Sequence, residues 1–217
     1  MIPKIIHQCW IGPHKKPERL MKTWKEMNPT WQYVEWDNKK VSDFKLVNQK
    51  HFDAYDSIQQ NKWNGKSNIL RYEILFRYGG VWIDADTGCV NPLEDFFLDN
   101  DSFCSYENEK ARTGLLAQGF LGATKENKLM RLLIEELSKK EKLNYIASWI
   151  SSGPQFITDI VKKYKYDKIK VYPSYFFFPE HHTGLKYEGN GKIYARHHWG
   201  TTFGGYDKEG FGNDKIK

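Results

Sequence analysis

The sequence predicts an α/β fold with a largely parallel central sheet. Short apolar strands alternate with helical segments from one end of the chain to the other, the pattern typical of strand–helix–strand units. No repeat, low-complexity tract or Gly/Ser-rich linker divides the 217 residues, a length that suits one substantial domain. No apolar stretch approaches the roughly 18 residues of a membrane-spanning helix. We therefore expect a single domain over residues 1–217.

The first third of the chain predicts strand, helix, strand. Gly12 and Pro13 break the chain after the first strand, and Pro17 opens an amphipathic helix. Less regular helical segments follow. The expected elements are a strand at 2–6, a helix from 17 to the Asn-Pro pair at 28–29, a strand at 31–36 and helical turns within 40–60.

The centre of the chain predicts a long helix that leads directly into an acidic strand end. Ser67 can cap this helix, which runs to Tyr78 and stops at Gly79-Gly80. The apolar strand 81–83 then enters Asp-Ala-Asp. Further strands are expected at 103–106, 119–123, 169–172 and 192–196, with helices near 126–139 and 149–164.

Composition leaves two classes of partner open. The 8 Trp, 13 Tyr and 13 Phe, with a formal net charge of +6, suit a protein that binds either sugars or nucleic acid. No run of five or six like charges occurs, which argues against a nucleic-acid tail. A mildly basic surface attracts phosphates or an anionic membrane face, so peripheral association with a membrane is compatible with the sequence.

Cysteine spacing and the N-terminus suggest a location. The three cysteines form no Cys-X-X-Cys pair, so neither a disulfide framework nor a cysteine zinc site is expected. The first residues contain no basic region followed by an apolar segment, the mark of a secretory signal. The expectation is therefore a cytoplasmic protein of a bacterium or a virus-infected cell, with no signal peptide or membrane anchor in this chain.

Asp84 and Asp86 form the main candidate site. Residues two apart in an extended strand point to the same side, and ligands gather beyond the carboxyl ends of strands in open α/β sheets. Paired carboxylates there suit a hard divalent cation. The simple alternative is a solvated turn, because Thr87-Gly88 follows. The organised helix, turn and strand before the acids favour a functional site.

Haloacid dehalogenase-like phosphatases also place an Asp-X-Asp after an apolar strand. Their threonine normally comes two residues after the second Asp, whereas Thr87 follows Asp86 immediately. Their motif lies on the first strand, and here some 80 residues precede it. A phosphatase is therefore a minor alternative. A glycoside hydrolase normally draws its two carboxylates, about 5 Å apart in retaining enzymes, from different chain segments.

Four segments in order along the chain resemble the family 32 glycosyltransferases, the Asp-X-Asp sugar transferases that include yeast initiating mannosyltransferases. The catalytic domains of clostridial glucosylating toxins are more distantly similar. The matching segments are 2–12, 24–36, 67–86 and 194–199. The resemblance implies a GT-A fold with a Rossmann-like sheet, a UDP- or GDP-sugar donor and a divalent metal, usually Mn²⁺. It also implies hexose transfer with retention to a glycan or related acceptor, as in polysaccharide biosynthesis or glycoprotein glycosylation.

The resemblance assigns the metal and its chemistry to three residues. Asp86 would bind the metal directly, and Asp84 would contact the ribose and the donor sugar, with a metal contact through water. The family pattern of His, any residue, Trp favours His197 as an imidazole ligand, with His198 as the alternative. Oxygen ligands suit Mg²⁺ or Mn²⁺, and an added imidazole favours Mn²⁺.

Further residues would bind the donor. Asn68 and Arg71 lie three apart on one helix face, near a helix N-terminus that attracts negative charge. Arg71 is assigned to the donor and to catalysis, and Asn68 stands where the family usually has Asp. Trp10 would stack on the nucleotide base, a contact worth roughly 1 to 3 kcal/mol, although core packing is the common fate of a Trp.

Trp82 and Gln118 complete the predicted donor residues. Trp82 is expected in the core or as a wall of the donor pocket. Gln118, with residues 119–120 and 152–154, resembles family segments on the sugar and acceptor side. No residue is an evident nucleophile. The function predicted is a metal-dependent glycosyltransferase. The alternative from the aromatic content and Asn68 is an inactive carbohydrate- or nucleic-acid-binding module, although the acidic site makes nucleic acid an unexpected partner.

Overall fold

The central sheet of the computed structural model is mixed but mostly parallel. The structure describes residues 1–58, 62–187, 189–208 and 211. Within these residues the strands are β1 (Ile5–Cys9), β2 (Gln32–Trp36), β3 (Gly80–Ile83), β4 (Thr87–Cys89), β5 (Ser102–Tyr106), β6 (Leu116–Ala123), β7 (Ile169–Tyr172) and β8 (Ala195–His197). Six of them form one sheet in the order β2-β1-β3-β6-β5-β7, in which only β6 runs against the others. The predicted fold class is confirmed.

Helices cover both faces of the sheet. They are α1 (Glu18–Met27), α2 (Asn38–Asp43), α3 (Gln49–Ala54), α4 (Lys62–Tyr78), α5 (Lys128–Ser138), α6 (Ser148–Ser151), α7 (Pro154–Lys163) and α8 (Gly200–Phe203). Successive side chains of β3 alternate between two cores: Trp82 packs with α4, α5 and α7, whereas Val81 and Ile83 pack with Trp24 of α1. In the described part of the chain, no helix has the length and apolar character needed to cross a bilayer.

Helix α4 begins five residues before the predicted cap at Ser67. A glycine normally weakens a helix, and Gly65 lies in the part of α4 that precedes Ser67. In the structure a Cβ atom at Gly65 would lie 2.0 Å from the Tyr55 ring. The close packing of α4 on the buried Tyr55 requires a glycine at this position, and this tertiary contact outweighs the local preference.

Several strands also differ from their predicted bounds, such as β6, which begins at Leu116 instead of residue 119, and one strand was not predicted. β1 begins at Ile5 instead of residue 2, and Ile2 instead donates its backbone N–H to the Leu98 carbonyl. β4 was not predicted, because Thr87-Gly88 indicated a turn. It pairs antiparallel with β8, with Thr87 opposite His197. This small second sheet brings the C-terminal histidines to the acids.

The turn from α4 into β3 sets the position of the acids. Gly79 and Gly80 have φ angles of +67° and +99°, which L-residues with a side chain rarely adopt. A Cβ atom at Gly80 would also lie 2.7 Å from the Ile5 carbonyl oxygen. β3 therefore enters close beside β1, and Asp84 and Trp10 follow the carboxyl ends of these neighbouring strands.

Candidate active site

An open cavity of about 710 Å³ lies beyond the carboxyl ends of β1 and β3. This is the edge at which α/β sheets bind ligands. Predicted site residues form part of its lining: Trp10, Asn68, Arg71, Asp84, Asp86, Gln118 and His197. The fold thus brings together residues that are up to 187 positions apart in the sequence, from Trp10 to His197. Trp82 is buried behind Asp84 and donates its indole N–H to that carboxylate.

Asp84, Asp86 and His197 converge in a way that fits a divalent cation. The His197 Nε2 atom lies 3.2 Å from Asp86 Oδ1 and 3.9 Å from Asp84 Oδ2. One ligand atom from each of the three residues falls within 4.8 Å of the others. Two carboxylates and an imidazole are a donor set suited to Mn²⁺. His198 instead donates its backbone N–H to the Asp86 carbonyl.

Each carboxylate uses one oxygen for protein hydrogen bonds and turns the other toward His197. Asp84 Oδ1 accepts from Arg71 Nη2 at 2.8 Å and from Trp82 Nε1 at 2.9 Å. Asp86 Oδ2 accepts from the Gly200 backbone N–H at 2.8 Å and from the Tyr206 hydroxyl at 3.2 Å. The two oxygens left over are the ones a cation would share with His197.

The charges of the site are strongly coupled. Burial opposes ionisation of Asp84, but the Arg71 guanidinium and His197 hold its pKa well below the usual range. Burial likewise opposes ionisation of Asp86, and His197 lowers its pKa. The two carboxylates outweigh the effect of burial on His197 and raise its pKa to about 10. Two ionised acids in a buried position therefore require positive charge between them.

The support of Asp86 comes from residues that the sequence analysis missed. Trp199 adopts a left-handed backbone conformation with φ of 54° and turns the chain from β8 into α8. The Gly200 N–H consequently points at Asp86. Tyr206 reaches the same carboxylate oxygen from beyond α8. Neither contact belongs to a sequence motif, so no signal in the chain could have indicated it.

Arg71 is a buried cation that lines the cavity. Besides Asp84, its Nη2 atom lies 3.4 Å from the Ser67 hydroxyl, and its guanidinium stacks 5.2 Å from the centre of the Trp82 ring. Its Nε and Nη1 atoms are buried and have no hydrogen-bond partner among the described residues. A buried donor without a partner is costly, and a ligand with anionic oxygens would satisfy both.

Asn68 and Gln118 are linked to each other at the inner wall of the cavity. Gln118 Nε2 donates to Asn68 Oδ1 at 2.5 Å, and Tyr72 donates to Gln118 Oε1 at 2.5 Å. The Asn68 amide nitrogen lies 3.3 Å from both the Ser148 carbonyl and the Ser152 hydroxyl. This network couples α4 to β6 and α6. Donor contacts of Asn68 and Gln118 stay a prediction.

Trp10 stands at the rim of the cavity with its ring against Tyr206. The two ring centroids are 4.8 Å apart in an edge-to-face arrangement, and Trp10 Nε1 donates to the His14 carbonyl at 3.0 Å. The same segment of chain thus contacts Trp10 and Asp86 through Tyr206. Stacking of Trp10 on a nucleotide base stays a prediction.

Residues 15–104 match the family described as the glycosyltransferase sugar-binding region containing a DXD motif. This stretch includes Arg71, Asp84 and Asp86. Residues 15–104 thus carry a DXD-motif glycosyltransferase region. The resemblance to the family 32 enzymes and the enzyme class are therefore confirmed, and the family match favours this class over the phosphatase and the inactive binding module.

Relatives of the chain include yeast mannosyltransferases named for inositol phosphoceramide. The chain is 29% identical to inositol phosphoceramide mannosyltransferase 2 of Schizosaccharomyces pombe, over 79% of this chain and 52% of that protein. It is 26% identical to mannosyl phosphorylinositol ceramide synthase SUR1 of Saccharomyces cerevisiae, over 76% and 43%. The chain thus spans about half the length of these relatives.

Solved structures show the same fold at low sequence identity. The PaToxG glycosyltransferase superposes with a TM-score of 0.56 at 20% identity, over 75% of this chain and 70% of that one. The UDP-bound glycosyltransferase domain of the YGT toxin gives 0.54 at 9% identity, over 79% of each chain. The predicted GT-A architecture is confirmed.

The predicted cytoplasmic location in a bacterium or virus-infected cell is wrong. Yeast mannosyltransferases named for ceramide lipids are among the relatives of the chain. The prediction relied on the absence of a leader, yet the chain corresponds to only part of these longer proteins. Where it begins and ends therefore carries no information on location.

Proposed function

We propose that the chain transfers a hexose from a nucleoside-diphosphate sugar to an acceptor, with a divalent cation held by Asp86, His197 and Asp84. The observation that supports this proposal is the geometry of Asp84 and Asp86, each of which leaves one carboxylate oxygen facing His197. Next to them lies the buried Arg71, which has two N–H donors without a partner among the described residues. Mn²⁺ is the metal this donor set favours, and Mg²⁺ is the other candidate.

Each of these residues has a defined task in the proposal. When bound, the cation supplies Lewis-acid stabilisation of the leaving diphosphate. Arg71 donates its free N–H groups to the phosphate oxygens, which is the geometry a guanidinium suits. Asp84 is held rigidly by Arg71 and Trp82, and its remaining oxygen would face the donor and help to hold the cation. Trp10 stacks on the base at the rim of the cavity.

The donor is proposed to be UDP- or GDP-mannose. The yeast relatives are named as mannosyltransferases, and the YGT toxin domain of the same fold is a UDP complex. These two observations favour a mannosyl group and a nucleoside diphosphate, and either base can stack on Trp10. Transfer with retention of anomeric configuration is part of the same proposal, because the family resemblance implies it.

The acceptor is proposed to be a glycolipid headgroup that carries a phosphate. The yeast relatives are named for inositol phosphoceramide. Trp149 of α6 lines the cavity, and Trp149 and the adjacent Ile150 are 43% and 44% exposed. The Arg112 guanidinium lies 4.9 Å from the centre of the Trp149 ring. An apolar edge beside a cation suits a lipid with an anionic headgroup.

Calorimetry tests the donor and metal together. UDP-mannose, GDP-mannose and UDP-glucose are titrated into the protein with Mn²⁺ and with a chelator. We expect one of them to bind only when Mn²⁺ is present, and Asp86→Ala to abolish that dependence. Asp43→Ala, an exposed acid on α2, is the matched control and should bind like the wild type. Equal binding with and without the metal in the wild type would contradict the proposal.

The acceptor needs a separate measurement. Mannosyl transfer to inositol phosphoceramide in detergent micelles is compared with hydrolysis of the donor by water. Trp149→Ala with Ile150→Ala should reduce the ratio of transfer to hydrolysis. Val47→Ala, which removes an apolar side chain that is 67% exposed outside the cavity, should not. An unchanged ratio in the double variant would rule out α6 as the acceptor edge.

A further inference from the structure

A second group of metal-ligand side chains lies across Trp199 from the acid pair. Glu107 follows β5, and His181 and His182 lie in the loop after β7. One ligand atom from each of the three falls within 4.8 Å of the others. No sequence pattern assigns this histidine pair to the site, and the pair has no task in the proposed glycosyl transfer.

Two of the three side chains are held out of solvent. The Glu107 side chain is 9% exposed and the His181 side chain 0%. His181 Nε2 lies 3.1 Å from Glu107 Oε1. A carboxylate removed from water requires compensation by positive charge or hydrogen bonds. The pair is therefore a built feature of the cavity wall and not a chance meeting of surface side chains.

The other nitrogen of His181 is already oriented. Nδ1 lies 2.8 Å from the Thr183 hydroxyl and accepts the Thr183 backbone N–H at 3.3 Å. In metal sites a ligating histidine commonly donates its second ring N–H to such an oxygen, which fixes the ring. A cation at Nε2 would require the tautomer that carries its proton on Nδ1, and the Thr183 hydroxyl is in position to accept that proton's hydrogen bond.

One cationic side chain, Arg112, and one aromatic ring, that of Trp199, lie beside Glu107, His181 and His182. Arg112 Nε lies 3.6 Å from Glu107 Oε1, at the solvent side. The Trp199 ring stands edge-on to His181 at 5.2 Å and to His182 at 5.1 Å, and its centroid is 4.5 Å from that of His197. Trp199 is thus a shared wall between the two groups of ligands. Arg112 can leave the carboxylate because its side chain is partly exposed.

We propose that Glu107, His181 and His182 bind a second divalent cation of the Zn²⁺ class. Two imidazoles and one carboxylate are a ligand set that zinc takes in proteins, with a fourth position left for water or substrate. Glu107 and His182 line the cavity, so that position opens toward it. The bound ion would fasten the loop after β5 to the loop after β7.

The test uses a background variant of the chain in which the ligand group of Asp84, Asp86 and His197 can no longer bind a cation. In the full chain carrying Asp86→Ala and His197→Ala, Zn²⁺ binding is measured by competition with a chromophoric chelator, and Co²⁺ binding by its visible absorption. We expect one ion per chain. Adding His182→Ala should weaken binding by about tenfold or more, a size seen even for indirect supports of metal ligands. Adding His14→Ala, a histidine on another part of the cavity rim, should leave binding unchanged.

A further variant and a folding measurement distinguish loss of a ligand from loss of the fold. His182 is only half-buried, so its variant should keep the wild-type circular dichroism, and Thr183→Val should weaken Zn²⁺ binding without removing any of the three ligands. The absence of a bound ion in the background chain, or equal affinity with and without His182, would overturn the proposal. Neither readout involves a nucleotide sugar, so the outcome is independent of the proposed transferase activity.

Discussion

Asp84 and Asp86 show how a short motif gains its geometry from partners outside the motif. The period of two along a strand puts both carboxylates on one side, but it does not fix their oxygens. Arg71 and Trp82 fix one oxygen of Asp84, and Gly200 and Tyr206 fix one oxygen of Asp86. The orientation of the two carboxylates is therefore set by four donors, which belong to α4, to β3 itself and to the C-terminal segment.

Alanine substitutions at the adjacent residues His197 and His198 should differ in their effect on Mn²⁺ binding. His197→Ala removes the imidazole that lies 3.2 Å from Asp86, so we expect Mn²⁺ affinity to fall by about tenfold or more, as for loss of a ligand support. His198→Ala keeps the backbone N–H that bonds the Asp86 carbonyl, and its Mn²⁺ affinity should stay close to that of the wild type. Calorimetric titration of both variants with Mn²⁺ checks this, and equal losses would contradict it.

Alanine substitutions at two glycines of β6 should also have different effects, one on the candidate site and the other on the stability of the core. A Cβ atom at Gly119 would lie 2.7 Å from Asp84 Oδ2, whereas one at Gly122 would lie 2.1 Å from the Phe103 ring. We expect Gly119→Ala to displace the free oxygen of Asp84, weakening Mn²⁺-dependent donor binding with little change in Tm. Gly122→Ala should instead destabilise the fold by about 1 to 3 kcal/mol, because it overpacks the core. Thermal unfolding and calorimetry on both variants distinguish the two effects.

The sequence predicts those site residues that belong to a local pattern. The acids follow from strand periodicity, and Arg71 and His197 from the family resemblance. Tyr206, Gly200 and Glu107 follow from neither, because each reaches its partner only when separate segments meet. A single sequence does not indicate such long-range contacts unless both contacting residues belong to a recognisable motif.

At the scale of elements, helix ends were harder to predict than helices. The segment from Ser67 to Tyr78 is helical as expected, but α4 already includes Lys62, and Gly65 packs against Tyr55 in this additional part. The stop at Gly79 agrees with the structure, since it depends on a local left-handed conformation. Features set by the backbone of one or two residues were thus predictable, and those set by packing were not.

Glu136 links α5 to α7 and should make stability depend on acid pH. Hydrogen bonds from Lys139 and Lys163, with one from Tyr164, lower its pKa to about 2. A depressed folded-state pKa adds stability above the unfolded value, about 4.3 for Glu, and this stability is lost as pH falls toward 2. Because its lysine partners are largely exposed, we expect at most about 1 kcal/mol.

The measurement compares Glu136→Gln with the wild type in urea at several pH values. The difference in the free energy of unfolding should be largest at neutral pH and should shrink below about pH 4.5, close to the unfolded-state pKa of a glutamate. Glu26→Gln on α1, an exposed acid in an i,i+4 pair, is the control and should show a smaller dependence. A difference that grows on acidification would contradict the assignment.

On the scale of the whole molecule, the candidate site is formed only when several separate segments of the chain come together in the fold. Its lining comes from the loop after β1, from α4, from the ends of β3 and β6, and from β8. The family match ends at residue 104, so Gln118 and His197 lie outside it. A truncated chain that keeps only the matched region should therefore lack a complete site.

Ligand binding should consequently stabilise the entire chain. A ligand at 100 times its Kd adds about 2.7 kcal/mol to the folded state, and for a chain of this size 1 kcal/mol shifts Tm by about 2 to 4 °C. We therefore expect Mn²⁺ with UDP or GDP to raise Tm by about 5 to 10 °C. The shift should be absent with the nucleoside alone, since the diphosphate is the group that Arg71 and the cation would bind. It should also be absent in Asp86→Ala with either diphosphate. A comparable shift in that variant would mean that the nucleotide binds elsewhere on the molecule, and the cavity beyond β1 and β3 would lose its assignment as the donor site.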